Sequence, residues 1–366
     1  MTVKLASMFF RFCSVRWLSP SPSLSLSRLL YTPNVWSVWM CCAAAAAVFA
    51  PMAPAPAAEI REPLTLVPLS TPTPLKALRQ ALVQVPAQAA PTAAAAPTAQ
   101  QSACAVFAAR LPNLRRELCE SAGLQPTPGR SVKGQTLWMR DITPVQPNLR
   151  VLVVGAIHGD ELSSAAVAFH WIKLAEQMPA DSPQTIAWRF IPVLNPDGVM
   201  VQPPRRVNAS GVDLNRNFPT PNWERDAKIY WEKRTGKDPR RWPGPKPLSE
   251  PESQFLYQQM QSFKPNLIVS IHAPYGVLDF DGPSVPPSKL GRLYLDQVGI
   301  FPGSLGNYGG VHKGVPVVTI ELPNSMRTPL DAEMRQMWLD LLRWTSERVK
   351  PNIKSDVVQG AKVWSP

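Results

Sequence analysis

Nearly continuous apolar runs, separated by polar segments, predict an α/β fold from residue 150 onward. The runs cover residues 150–157, 190–194, 266–271 and 315–320. Runs of this length without alternating polar residues are typical of strands buried on both faces of a parallel sheet. Apolar residues at helical spacing follow the first run over 162–175. We therefore expect a mixed, mostly parallel, twisted sheet that is flanked by helices on both faces.

Two further helices are predicted from their start signals. Ser249 and Glu252 have the spacing of a capping box, which would begin a helix that continues to about Phe263. Thr328, directly before Pro329, has the position of an N-cap for the last helix. Apolar residues at helical spacing are expected to place that helix in the core: Leu330, Met334, Trp338, Leu341, Leu342 and Trp344.

The N-terminal residues 1–57 are predicted to be an extension that carries a secretory signal. Arg28 supplies positive charge, residues 38–50 form a short apolar core, and residues 55–57 are a small-residue cleavage site. The alternative to cleavage is a retained membrane anchor. On either interpretation we expect the protein to be exported to the periplasm.

Composition divides the rest of the chain into four segments. Residues 58–100 are rich in Ala, Pro, Thr and Gln, which is typical of an extended tether. Residues 101–130 are expected to form a small helical segment, residues 131–350 the α/β domain, and residues 351–366 a C-terminal tail. No apolar run of about twenty residues follows position 60, which excludes a polytopic membrane protein.

A disulfide is predicted in the small helical segment. Without the signal, Cys104 and Cys119 are the only cysteines left in the chain. An even pair in an exported protein is expected to be oxidised, and here it would close a helical hairpin. Two buried free thiols are the alternative.

The charge pattern argues against a nucleic-acid partner. The formal net charge is +12, yet the basic cluster in 225–246 is interrupted by proline and acidic residues. A nucleic-acid surface would need a continuous basic helix or a basic platform with aromatic residues. Hydrophobic residues are 45% of the chain and charged residues only 17%, which excludes disorder throughout.

Ionisable residues follow three of the predicted strands. His158 and Glu161 come after the first run, His272 after the third and Glu321 after the fourth. Carboxyl ends of parallel strands are where open α/β sheets place their sites. Two histidines and one carboxylate, with a fourth position left for water, are a typical catalytic zinc set. The pair His158 and Glu161 alone is a weak signal, and it is the convergence of strands that favours a metal site with Glu321 as general base.

Two arginines stand apart from the solvated arginines of the chain. Arg206 and Arg216 flank a stretch with almost no other charge. A planar guanidinium can clamp a carboxylate or stabilise a developing oxyanion. A solvated surface position is the alternative for each.

The motifs and their order resemble the zinc-carboxypeptidase (funnelin) family over about residues 130–350. The motifs are Val154 to Glu161, Asn195 to Gly198, Asp213 to Pro219, Ser270 to His272 and Thr319 to Leu322. Within the family, residues 271–282 and 320–323 look most like bacterial murein peptide amidases. Asp160 departs from the arginine of the digestive members, which puts a digestive specificity in doubt.

The resemblance implies one Zn²⁺ per chain and a role for each motif residue. The implied zinc ligands are His158, Glu161 and His272, and the general base is Glu321. The implied oxyanion residue is Arg206, and the residues for a substrate carboxylate are Asn215 and Arg216. Tyr308 is the candidate for the active-site tyrosine of the family. Residues 131–350 would then be the catalytic domain.

The implied substrate is a murein peptide, cut at the amide between the side-chain carboxyl of D-glutamate and diaminopimelate. Such a substrate carries a free carboxylate and lies at the cell wall. The alternatives are a carboxypeptidase that releases C-terminal residues, an N-acyl amino acid deacylase, and a non-catalytic peptidoglycan-binding protein. Glu321 argues against the last, because a pure binder needs no base.

Four other ionisable residues are given structural roles. His170 is expected to be a packing residue of a helix, and His312 a residue of a solvated loop. Asp279 and Asp281 are expected to be exposed turn acids. Their alternative role, on a diaminopimelate substrate, is to pair with its ammonium group.

Overall fold

A seven-stranded mixed sheet with the strand order β1-β2-β4-β3-β5-β9-β6 positions the site. The computed structural model describes residues 96–179 and 185–350. The predicted secretory signal, the C-terminal tail and most of the predicted tether lie outside the described residues, and the predicted domain boundaries stay predictions. The seven strands of this sheet are β1 Gln125–Arg130, β2 Thr136–Ile142, β3 Leu149–Val154, β4 Ile186–Ile191, β5 Leu267–His272, β6 Val277–Asp281 and β9 Val317–Glu321. A separate two-stranded sheet is formed by β7 Lys289–Leu290 and β8 Leu293–Tyr294.

The centre of the sheet is parallel and its edges are antiparallel. Strands β4, β3, β5 and β9 pair in parallel. Strands β1 and β2 at one edge, and β6 at the other, run antiparallel to their neighbours. The α-helices are α1 Ala99–Arg110, α2 Arg116–Ser121, α3 Leu162–Glu176, α4 Pro196–Met200, α5 Trp223–Arg234, α6 Pro251–Phe263 and α7 Asp331–Arg348. Shorter elements are two 3₁₀ turns, Leu214–Arg216 and Pro239–Arg241, and a π-helical turn, Asn307–His312.

Alternate residues of β3 face two different cores, which confirms the prediction of helices on both faces. Val151 and Val153 belong to one core, which contains the apolar residues of α3 and α7. Leu152 and Val154 belong to the other, which contains those of α6. Because successive side chains of a strand point to opposite faces, a strand covered on both sides must be apolar at every position.

Both predicted helix starts were wrong in detail. Helix α6 has Glu250 as its N-cap residue, and the Ser249 hydroxyl donates to the Glu250 carboxylate instead of capping the helix. Helix α7 begins later than predicted, because the backbone N–H of Leu330 donates to the Glu333 side chain. The Thr328 hydroxyl instead accepts a hydrogen bond from Asn113.

The predicted disulfide between Cys104 and Cys119 is present and joins α1 to α2. Both cysteines are fully buried. The hairpin packs on α3, where the Phe107 and Phe169 rings lie 5.8 Å apart. Among the described residues, no helix is both long and apolar enough to cross a bilayer.

Candidate active site

Three parallel strands deliver their last residues to one edge of the sheet. In the register of β5 and β9, His272 pairs with Glu321. Strand β3 ends at Val154, and the loop that follows carries His158 and Glu161 to the same edge. The loop passes so close to α4 that a Cβ at Gly159 would lie 2.3 Å from the carbonyl carbon of Gly198. Only glycine is compatible with that approach.

The three predicted metal ligands form one buried cluster. His158 Nδ1 lies 2.8 Å from Glu161 Oε1, and His272 Nδ1 lies 3.0 Å from Glu161 Oε2. The two Nδ1 atoms are 3.1 Å apart. The three residues are 4% exposed or less. Among the described residues this is the one group of histidine, cysteine and acidic side chains close enough to hold a metal ion.

The outer contacts of the two imidazoles fit a zinc site. His158 Nε2 donates to Asp213 Oδ1 at 3.1 Å, and His272 Nε2 is hydrogen-bonded to Ser270 at 2.9 Å. A proton on the outer nitrogen leaves an Nδ1 lone pair pointing inward. Although burial opposes it, the two histidines hold the pKa of Glu161 below its usual range, so this carboxylate is ionised. Two inward lone pairs and one carboxylate are a zinc donor set with its supporting partners.

Asp213 is a site residue to which the sequence analysis assigned no role. Its carboxylate is fully buried and contacts both His158 and Arg206. Arg206 and His158 outweigh burial and hold the pKa of Asp213 well below its usual range. The signal that could have found it is its position as the lone acid between Arg206 and Arg216.

Arg206 is held in place beside the cluster by two carboxylates. Its Nε and Nη2 atoms each lie 3.1 Å from Asp213 Oδ2, and its Nη1 atom lies 3.5 Å from Glu161 Oε1. Although burial opposes it, these carboxylates raise the pKa of Arg206. The guanidinium is therefore ionised and oriented before any substrate binds.

Glu321 has a free carboxylate oxygen beside the cluster. Its Oε2 atom is buried and has no hydrogen-bond partner in the described part of the chain. Burial raises the pKa of Glu321, with Glu161 adding to the effect and His272 opposing it. A carboxylate with a raised pKa and an unused oxygen can accept a proton.

Seven of the eight predicted site residues line one cavity of about 390 Å³. They are His158, Glu161, Arg206, Asn215, Arg216, His272 and Glu321. The cavity is partly open to solvent and is lined by charged groups of both signs. It therefore suits a polar ligand that reaches the His158, Glu161 and His272 cluster.

Arg216 is a buried guanidinium without a carboxylate partner among residues 96–179 and 185–350. It is 5% exposed, its Nε atom is unbonded, and its guanidinium stacks 4.4 Å from the centre of the Phe301 ring. Its one side-chain hydrogen bond goes to the backbone oxygen of Asn215. Burial lowers the pKa of Arg216 to about 10, so it stays cationic at neutral pH. The side chain of Asn215 accepts a hydrogen bond from the Leu305 N–H.

The structure corrects the position of Tyr308. This residue is 1% exposed and belongs to the core beneath α6, where its ring neighbours Phe218 and Tyr257. Its hydroxyl accepts a long hydrogen bond from Gln261 at 3.4 Å and also interacts with the Tyr257 side chain. Tyr275, three residues after His272, lines the cavity instead and is 59% exposed.

Asp279 and Asp281 are not the exposed turn acids that the sequence analysis expected. Both lie on β6, are 7% and 8% exposed, and line the cavity. The two other histidines lie outside the cavity, as expected. His170 packs on the hairpin through Asn113, whose backbone oxygen is 3.0 Å away, and His312 is exposed.

Comparison with known proteins identifies relatives of this architecture. The zinc carboxypeptidase family matches residues 125–279. Murein peptide amidase A of Escherichia coli K12 is 30% identical over 233 residues, which are 61% of this chain and 92% of that protein. Murein peptide amidase A of Vibrio campbellii is 32% identical over 213 residues, which are 56% of this chain and 80% of that protein.

One solved structure is also similar to this chain. The murein-tripeptide amidase of Escherichia coli O157 is 27% identical, with a TM-score of 0.44. The match covers 68% of this chain and 97% of that chain.

Proposed function

We infer the function from one premise: the chain belongs to the zinc carboxypeptidase family and is a zinc metallopeptidase. We propose that it hydrolyses murein peptides at the amide between the side-chain carboxyl of D-glutamate and diaminopimelate. The observation that carries the proposal is a cavity with a zinc donor set, and with a carboxylate oxygen that has no hydrogen-bond partner and a buried guanidinium that has no acidic partner among the described residues. Similarity to murein peptide amidase A over 92% of that protein supports the choice of substrate.

His158, Glu161 and His272 would hold one Zn²⁺ per chain. When bound, the ion polarises the scissile carbonyl and makes water a nucleophile near neutral pH. Asp213 and Ser270 keep the two imidazoles oriented for this task through their outer nitrogens.

Glu321 is the general base. Its free oxygen accepts a proton from the attacking water while the water oxygen bonds to the amide carbon. The same proton then passes to the amide nitrogen as the carbon–nitrogen bond breaks. The raised pKa of Glu321 suits both transfers, because the protonated carboxyl forms more readily than in water.

Arg206 stabilises the oxygen that becomes negative during the attack. Asp213 already fixes its guanidinium, so no reorganisation is needed when the charge develops. Arg206→Ala should lower kcat about 100-fold. Arg205→Ala is the matched control, because Arg205 is exposed and does not line the cavity; equal losses in both variants would contradict the role.

Arg216 binds the free carboxylate of the substrate. Its buried guanidinium has no acidic partner within residues 96–179 and 185–350, so it gains most from an anionic ligand, and a carboxylate can meet it with two parallel hydrogen bonds. Asn215 borders the same cavity and is placed to help orient this group. The binding energy positions the scissile amide beside Glu321.

We also propose a periplasmic location, in reach of the cell wall. The disulfide between Cys104 and Cys119 supports it, because such bonds persist in oxidising compartments. Fractionation of cells that produce the full chain checks this: recovery in the cytoplasmic fraction, with the cysteines reduced, would contradict it.

Mass spectrometry of muropeptides incubated with the purified protein tests the proposed reaction. We expect a mass gain of one water and release of the diaminopimelate fragment, loss of this activity with a chelator, and recovery with Zn²⁺. A peptide of L-amino acids with a free C-terminus is assayed in parallel. Faster cleavage of that peptide would favour an ordinary carboxypeptidase, and binding of peptidoglycan without cleavage would favour a non-catalytic binder.

A further inference from the structure

We propose that the disulfide-closed hairpin of α1 and α2 is a positioning element of the active site, in which Arg110 holds the backbone segment that leads to Arg206. The hairpin lies before residues 125–279, which match the zinc carboxypeptidase family, so the family resemblance gives it no role. Arg110 acts through Arg206 and does not touch the substrate. The inference rests on the proposed function only where hydrolysis is the readout.

Arg110, the last residue of α1, donates two hydrogen bonds to backbone carbonyls at the end of α4. Its Nε atom lies 2.6 Å from the Val199 oxygen, and its Nη2 atom lies 2.8 Å from the Val201 oxygen. The last carbonyls of a helix have no partner inside the helix, and an arginine side chain can satisfy them. Because the guanidinium is planar and rigid, the two bonds together fix the end of α4 relative to α1.

The segment that Arg110 holds folds back on α4 and leads directly to Arg206. The backbone N–H of Arg205 donates to the Gly198 oxygen of α4 at 2.9 Å. The Arg206 oxygen accepts from the side chain of Asn195, the N-cap residue of α4, at 3.1 Å. The backbone of Arg206 is therefore placed by α4, and the end of α4 is placed by Arg110.

The same segment also contacts the loop that carries two of the proposed zinc ligands. The backbone N–H of Gly159, which follows His158, donates to the Arg206 oxygen at 3.2 Å. The contact is close, because a Cβ at Gly159 would lie 2.6 Å from the Arg205 oxygen. A displacement of the held segment would therefore move the guanidinium of Arg206 and the ligand loop together. Misplacement of reacting groups by about 1 Å can lower a rate about 100-fold.

The disulfide keeps the helix of Arg110 in place. Helix α1 has 12 residues and α2 has 6, and isolated helices of these lengths are marginal in water. The bond between Cys104 and Cys119 joins them inside the core. The turn of the hairpin is tied to α3, because His170 Nε2 donates to the Asn113 oxygen at 3.0 Å. The hairpin is thus fixed on α3 at its turn and on α4 through Arg110.

Packing of the hairpin on the core does not account for the two bonds of Arg110. The apolar residues Phe107, Leu111 and Leu114 are each 5% exposed or less and belong to the core that contains α3 and α7. Arg110 is only half-buried and reaches a different element. Hydrogen bonds from an ionised donor to two fixed acceptors specify a position, which burial of apolar surface does not.

Arg110→Met tests the positioning role, because methionine keeps an apolar stem but has no donor. On whichever substrate the native protein cleaves, we expect kcat to fall about 10-fold and KM to stay within about twofold, since Arg206 is displaced while Arg216 is not. Arg110→Lys keeps one charged donor and should recover part of the loss. Arg116→Ala is the matched control: it removes an exposed guanidinium of the same hairpin, which pairs with Glu120, and should leave kcat unchanged.

A double-mutant cycle tests whether the hairpin is the support of Arg110. In a Cys104→Ala/Cys119→Ala protein, Arg110→Met should lower kcat by about threefold or less, because the loosened helix no longer holds the side chain. Equal losses in the two backgrounds would overturn the role of the hairpin. Metal analysis and thermal unfolding check that each variant is loaded and folded. If the cysteine-free protein does not fold, the Arg110 variants of the disulfide-bonded protein decide alone.

Amide hydrogen exchange separates this inference from the proposed function. In Arg110→Met we expect faster exchange in the peptides that contain Gly159 and Arg205, whose N–H groups bond within this segment, and unchanged exchange in α6. A kcat within twofold of the native value, or unchanged exchange in those peptides, would overturn the positioning role. If the native protein cleaves no substrate, the proposed function fails and exchange decides: faster exchange confined to those peptides supports the role of Arg110.

Discussion

Two halves of one cavity differ in how their buried charges are balanced. In the half around the proposed zinc ligands, His158 and Arg206 share the carboxylate of Asp213, and Glu161 contacts both histidines. In the substrate half, the described residues provide no opposite charge in contact with Arg216 or Asp281.

This difference distinguishes the part of the site that is organised for catalysis from the part that is organised to bind a ligand. A balanced network of buried charges holds its geometry without a ligand, which is the condition for preorganised chemistry. Unbalanced buried charges reduce stability, and they are relieved when a ligand supplies the missing partner. The pocket is therefore expected to trade stability for selectivity.

The largest effect is expected from the balanced half. Glu321→Gln should lower kcat by about a thousandfold or more, because the side-chain amide of glutamine cannot accept the proton of the attacking water. Bound zinc, measured by metal analysis, should stay near one per chain. Activity close to that of the native protein would remove Glu321 from its role.

Removing the residues that hydrogen-bond to the outer nitrogens of the two histidines should weaken metal binding. Asp213→Ala removes the acceptor of His158 Nε2, and we expect zinc affinity to fall about 10- to 100-fold in a chelator competition. Ser270→Ala removes the corresponding partner of His272, a neutral hydroxyl, and should have a smaller effect. The opposite order would mean that charge balance does not organise the ligands.

In the substrate half, removing a buried charge should change the free energy of unfolding. The pKa of Asp281 is about 6 in the folded protein, above the ordinary value of 3.8, so the charged form opposes folding above pH 6. The negative charge of Asp279, on the same strand, also raises the pKa of Asp281. On the neighbouring strand β9, Asp281 pairs with the apolar residue Val317, which supplies no positive charge. At pH 8, Asp281→Asn should therefore raise the free energy of unfolding by about 2 kcal/mol.

That gain should shrink as the pH falls from about 6 to 4, where the native carboxyl becomes neutral. Urea titrations at several pH values measure it, and Asp296→Asn, at an exposed carboxylate, is the control. A loss of stability at pH 8 would show that Asp281 is compensated after all.

The smallest effect is expected outside the cavity. Tyr308→Phe removes a buried hydroxyl that contacts Gln261 and Tyr257 outside the cavity, so kcat should change less than about twofold. Tyr275→Phe, which alters a residue that lines the cavity, is the comparison. A loss of kcat specific to Tyr308→Phe would return that tyrosine to the site.

Much of the fold and of the metal cluster could be predicted from local patterns. The apolar run of β3 predicted a strand covered on both sides, and its two cores confirm this. The positions of His158, His272 and Glu321 after three such runs predicted their meeting, because the carboxyl ends of parallel strands share an edge. The helix starts at Ser249 and Thr328 were wrong because the side chains found other hydrogen-bond partners.

The sequence by itself determined which segments become buried strands and which ionisable residues end them, since both depend on the order of neighbouring residues. Only the tertiary structure decided that Asp213 bridges His158 and Arg206, that Tyr308 lies in the core, and that Asp281 faces the cavity with no charged partner in the part of the chain that is described. Burial and charge balance are set by groups that are distant along the chain. They take their values only when the packed elements exclude water and bring those groups into contact.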